Sequence, residues 1–172
     1  GIILLPEIFG LNEFIRQMAE LLAAEGYVCF VPDAFWRQQA GTALSYDEYD
    51  AAIALRQGFD ADRGVSDLAF VVEALRAHPA QAGKIGALGF CMGGLLAVLA
   101  AQEHGLDCVV SYYGTNLDQH LAALVSLQCP AVLHLGETDA LIDPEARAVI
   151  CRAAETNQQL TAFTYPDCGH AF

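Results

Sequence analysis

Short apolar runs alternate along the chain with stretches in which apolar side chains recur every three or four positions. Ile2 to Leu5 is an apolar run ended by Pro6, the pattern of a buried parallel strand. Asn12 then caps a helical pattern with Phe14, Ile15, Met18, Leu21 and Leu22 on one face and Gly26 as its stop. Residues 27–31 predict a second buried strand, broken by Pro32-Asp33, and residues 34–50 a loop followed by a short helix. Asp60 or Asp62 opens a long amphipathic helix through Val65, Leu68, Val72 and Leu75, closing near His78-Pro79. Further strands are expected at 84–90, 108–114, 131–136 and 160–166, with helices at 92–104 and 144–155. The helix at 92–104 is apolar nearly all round and must be buried. Strands separated by helices of this length give an α/β class with a mostly parallel sheet, right-handed crossovers and helices on both faces.

The 172 residues suffice for a single domain with a sizeable core. No apolar run approaches the ~20 residues that span a bilayer. A net charge of −13, with Lys84 and seven arginines as the only fixed cations, repels phosphate backbones and anionic lipid and argues against nucleic-acid or membrane-surface binding. Six cysteines (Cys29, Cys91, Cys108, Cys129, Cys151 and Cys168) show no zinc spacing, and most are expected to be buried free thiols in a reducing, cytoplasmic setting. The apolar start has no basic n-region and is too short for a signal peptide. Both ends look cut, so flanking elements of the domain are expected to be missing.

Gly89-Phe90-Cys91-Met92-Gly93 fits the nucleophile elbow, G-x-nucleophile-x-G, with cysteine where serine is usual. A strand-to-helix turn that tight strains the nucleophile's backbone and leaves room only for glycine two residues to either side. It also aims the sulfur at a helix N-terminus, whose partial positive charge favours thiolate. His170 follows the last strand and Asp139 follows the strand at 131–136, both at carboxyl ends, where functional groups gather in parallel sheets. The order nucleophile, acid, histidine is that of the α/β-hydrolase triad. His170 would take the thiol proton and Asp139 would hold the imidazole. Asp143 competes with Asp139, but Asp143-Pro144 is better explained as an N-cap with proline in the first turn. His78, His104 and His134 are expected to be structural, and His120 has no nameable partner.

The segments PEIFGLN, GYVCFVPD, GTAL, GFCMGG, SYYG, GETD and CGHAF, spread over essentially the whole chain, resemble the dienelactone hydrolase family (carboxymethylenebutenolidases). The resemblance implies a truncated α/β-hydrolase fold, hydrolysis of a small lactone or ester through a thioester acyl-enzyme, and no cofactor or metal. It implies that Cys91, Asp139 and His170 form the triad and that Glu7 pairs with the resting thiol, exchanging it for His170 when substrate binds. The backbone N–H groups of Ile8 and Met92 would form the oxyanion hole. A monomer or weak homo-oligomer is expected.

One departure matters. The family's two carboxylate-gripping arginines are implied before the long helix and beyond the GHAF segment, yet residues 44–52 hold no arginine. Arg37, Arg56 or Arg63 could substitute. Two rivals remain: a thioesterase or esterase of the same family acting on another acyl group, and a non-catalytic cysteine redox sensor or binding protein. The latter needs a resolving cysteine, for which Cys168 is the candidate.

Overall fold

The computed structural model, covering residues 1–172, contains six strands in one sheet of order β2-β1-β3-β4-β5-β6. These are β1 (Ile2–Leu5), β2 (Cys29–Phe30), β3 (Gly86–Phe90), β4 (Cys108–Tyr112), β5 (Ala131–Gly136) and β6 (Leu160–Tyr165). Every pairing is parallel. The helices are α1 (Glu13–Ala24), α2 (Trp36–Gln39), α3 (Tyr49–Gln57), α4 (Ala61–Ala77), α5 (Met92–His104), α6 (Leu121–Ser126) and α7 (Pro144–Thr156).

The caps fall where side-chain chemistry puts them. Asn12 accepts from the Ile15 amide and Asp60, rather than Asp62, from the Arg63 amide. Asp143 accepts from the amides of Glu145 and Ala146, with Pro144 leading α7, so it serves the helix and not the site.

α4, α5, α6 and α7 pack side by side on one face of the sheet. α5 lies against β1, β3 and β4 and is buried on nearly every side, as its composition demands. The opposite face carries α1, whose Phe14 meets Phe90 edge-on at 5.1 Å. Helices therefore lie on both faces but unequally. Over β3 to β6 the α1 face shows a row of rings in register, Phe90, Tyr112, His134 and Phe163, each stacked on the next. This row holds His134 in a structural role, with Nδ1 2.7 Å from the Tyr165 hydroxyl.

Three local expectations need correction. β2 is two residues long and half-buried, because it lies at the sheet edge with β1 as its only partner. Residues 34–57 hold α2, a single 3₁₀ turn at Tyr46–Glu48 and the whole of α3, more helix than their weak periodicity predicts. Leu117–His120 and α6 also form helix in the β4–β5 crossover, where no helix was expected. No helix is long and apolar enough to cross a membrane.

Candidate active site

β3 ends at Phe90 and α5 begins at Met92, leaving Cys91 as the whole connection, with φ 54° and ψ −118°. Such backbone is strained for any residue with a Cβ and persists only where its surroundings impose it. Two close approaches show how tight the turn is. A Cβ on Gly89 would sit 2.0 Å from the Gly93 carbonyl oxygen, and one on Gly93 would sit 2.3 Å from the Leu5 carbonyl oxygen. The elbow expected from the sequence is present, aimed at the carboxyl edge of the sheet.

Around it the strand ends bring together residues distant in sequence. Glu7, just beyond β1, is 5% exposed. Asp139, beyond β5, is 4% exposed; its Oδ2 lies 2.8 Å from His170 Nδ1 and its Oδ1 accepts from the Leu141 amide. That pairing leaves Nε2 of His170 buried with no protein partner. With Nδ1 as donor to the carboxylate, Nε2 is the basic nitrogen. Cys91, Glu7, Ile8 and His170 line one cleft of about 480 Å³, together with Phe9, Tyr46, Tyr49, Ile53, Arg56 and Thr115.

The electrostatics keep Cys91 a thiol at rest. Burial pushes its pKa up to about 12, and the Glu7 carboxylate adds to the rise. The Met92 amide, the Thr115 hydroxyl and the charge of Arg56 act in the opposite direction without overcoming it. The thiolate expected from the helix N-terminus is thus outweighed by desolvation. Glu7 is itself raised by burial, opposed by hydrogen bonds from Tyr46 and Tyr113 and by the proximity of His170.

The three candidate arginines separate. Arg37 forms a bidentate pair with Asp67 and lies over Trp36, and Arg63 pairs with Asp60. Arg56, in the last turn of α3, lines the cleft and makes no ion pair. The cysteines also depart from expectation. All six are free, but only Cys91 and Cys129 are buried, and Cys108 is exposed at the start of β4. Tyr46, Tyr113 and Thr115 escaped notice in the sequence because nothing in their local pattern points to Glu7 or Cys91. No group of three or more His, Cys, Asp or Glu is placed to hold a metal ion.

Over residues 1–172 the sequence matches the dienelactone hydrolase family. The chain belongs to that family. It is 36% identical to carboxymethylenebutenolidase of Pseudomonas putida, over 99% of this chain and 74% of the relative. Identity to carboxymethylenebutenolidase 1 of Cupriavidus pinatubonensis is 34%, over the same shares. Among solved structures, a Klebsiella pneumoniae protein assigned as a dienelactone hydrolase superposes with TM-score 0.83 at 26% identity, over 99% of this chain and 75% of that one. A dienelactone hydrolase-like promiscuous phosphotriesterase from metagenomic libraries gives TM-score 0.80 at 23% identity, over 100% and 72%, which speaks for the shared fold. This member of a hydrolase family therefore carries a cysteine at its elbow and a histidine–aspartate pair at the neighbouring strand ends.

Proposed function

We propose that the protein hydrolyses a small lactone or activated ester through Cys91, with His170 as general base and Asp139 holding its imidazole. The observation that carries this reading is the arrangement at the sheet edge: a strained cysteine in the same cleft as a histidine whose Nδ1 is tied to a buried carboxylate and whose Nε2 is free.

In this reaction Nε2 of His170 takes the Cys91 proton as sulfur attacks the substrate carbonyl. The carbonyl electrons move onto oxygen, where the N–H groups of Ile8 and Met92 receive the negative charge. The tetrahedral intermediate collapses, the carbon–oxygen bond to the leaving group breaks, and the leaving oxygen accepts the proton from His170. Water, deprotonated by the same imidazole, then attacks the thioester, and the returning thiolate recovers its proton. An enolate, as released by a dienelactone, is already a good leaving group, so sulfur chemistry suffices; an unactivated alkyl ester would react poorly. A thiol protonated at rest resists oxidation, which gives Glu7 a protective role beside Cys91.

Arg56 supplies the one cation on the cleft wall against a background of −13, and a substrate carboxylate would pair with it. A thioesterase or esterase specific for another acyl group is the second reading, favoured by the absence of arginine from residues 44–52. A panel of activated esters with and without a carboxylate separates the two.

Cys91→Ala tests the chemistry. Hydrolysis of p-nitrophenyl acetate and of a dienelactone should fall by at least about a thousandfold with the circular dichroism spectrum unchanged. Retention of activity by Cys91→Ala would remove the proposal.

A further inference from the structure

Glu7 is a buried carboxylate with no cation bonded to it. Both its oxygens are taken by phenols: the Tyr46 hydroxyl donates to Oε2 at 3.0 Å and the Tyr113 hydroxyl to Oε1 at 3.2 Å. The two donors come from separate parts of the chain, Tyr46 on the cleft wall and Tyr113 buried behind it. Tyr46 opens the 3₁₀ turn at the head of the wall segment that continues into α3, and Tyr49, Ile53 and Arg56 of that helix line the same cleft. Its turn is fixed by the Ser45 amide donating to Glu48 Oε2 at 2.9 Å, and its ring meets Phe9 edge-on at 4.7 Å. Tyr113 follows β4, buried and held at φ 40°, a strained setting for an aromatic residue. Its ring lies edge-on to His170 at 4.9 Å, so one side chain touches Glu7 and the imidazole together.

A lone buried carboxylate takes up a proton readily, because burial disfavours its charged form. Two hydroxyl donors oppose this, since a hydrogen bond to the ionised form favours it. The other titratable or charged side chains facing Glu7 across the cleft are Cys91, His170, Tyr49 and Arg56. None of them forms a hydrogen bond or an ion pair with its oxygens.

We propose that Tyr46 and Tyr113 are positioning residues for Glu7, whose carboxylate keeps its negative charge beside Cys91 only while the Tyr46 wall is in place. The wall is thereby coupled to the resting state of the thiol. With the wall seated, Glu7 stays ionised and Cys91 stays protonated; with it displaced, Glu7 gains a proton and Cys91 loses the charge that holds its own. This deepens the hydrolase reading, since it rests on Cys91 being the reactive thiol.

The test is the rate at which methyl methanethiosulfonate modifies Cys91 in the whole chain, followed site by site by mass spectrometry, with the exposed Cys108 as internal control. Between about pH 5.5 and pH 8, Glu7→Gln should speed modification by about tenfold and Tyr46→Phe by about threefold, because each reduces the negative charge beside the sulfur. In the Glu7→Gln background Tyr46→Phe should add nothing. Tyr113→Phe should act in the same direction as Tyr46→Phe. A Tyr46→Phe rate within about twofold of the unmutated protein, or an equal acceleration with and without the Glu7 carboxylate, would overturn the proposal. Ester turnover by Cys91→Ala would sink the hydrolytic chemistry without touching these thiol rates, so the two failures are told apart.

Discussion

Cys91 and Glu7 are both held in states that a solvated chain would not choose, one by backbone strain and the other by burial. A Cβ on Gly89 or Gly93 of the elbow would meet backbone carbonyl oxygens, which cannot swing aside as a flexible side chain can. Gly93→Ala should therefore cost about 3 kcal/mol or more, read as a fall in the denaturation midpoint or as loss of soluble protein. Survival of both fold and activity in that variant would contradict the geometry. Glu7 makes a prediction of opposite sign. Burial raises its pKa above the ordinary 4.5, so the folded protein holds that proton more tightly than the unfolded chain does. Its contribution to stability is present in acid, below 4.5, and is lost as pH rises through the folded-state value. Glu7→Gln should accordingly raise the melting temperature at neutral pH, with the gain shrinking as the pH falls. A variant less stable than the parent at neutral pH would mean that the two tyrosine hydrogen bonds more than offset the burial of charge.

At the scale of elements, the two neighbouring aspartates have separable tasks. Asp143 caps α7, and Asp143→Ala should lower stability by about 1 kcal/mol while leaving ester hydrolysis intact. Asp139 instead meets His170, and Asp139→Ala should lose most of the activity. Paired thermal melts and activity assays on the two variants distinguish a cap from an orienting group. Much of this architecture was legible in the chain. The strands are short, mostly apolar runs, and the elbow glycines mark the turn between β3 and α5. β2 was overestimated because an apolar run does not disclose that its strand lies at an edge. α3 was anticipated only as a short helix near residue 50, because its nine residues show little periodicity, and α6 was missed because six residues are too few for a helical period to stand out. The strand-end residues Cys91, Asp139 and His170 could be proposed from order and position alone. Tyr46, Tyr113 and Thr115 could not, since their significance lies wholly in the distant residues that the fold brings against them.

At the scale of the whole molecule, a charge of −13 sets up a field that repels anions, and Arg56 is a local exception within it. Charges a Debye length or more away, about 8–10 Å, are largely screened at ordinary salt, whereas a direct guanidinium–carboxylate contact is screened much less. Arg56→Ala should therefore lower kcat/KM about tenfold for an ester bearing a carboxylate, chiefly through KM, and change a neutral ester by less than about twofold. Added salt should raise kcat/KM of the unmutated protein toward the anionic ester modestly by weakening the global repulsion. Equal losses on both esters would make Arg56 a structural part of α3 instead.

If acyl transfer passes through the sulfur of Cys91, an acyl-enzyme can be trapped there. The protein is mixed with an activated ester, quenched in acid within the first turnover and digested, and the peptides are weighed. The acyl group should appear as a thioester on the peptide carrying Cys91, be discharged by hydroxylamine, and be absent from the Cys91→Ala protein. Acylation found only on Cys108 or another side chain, while hydrolysis proceeds at its full rate, would exclude Cys91 as the acyl carrier.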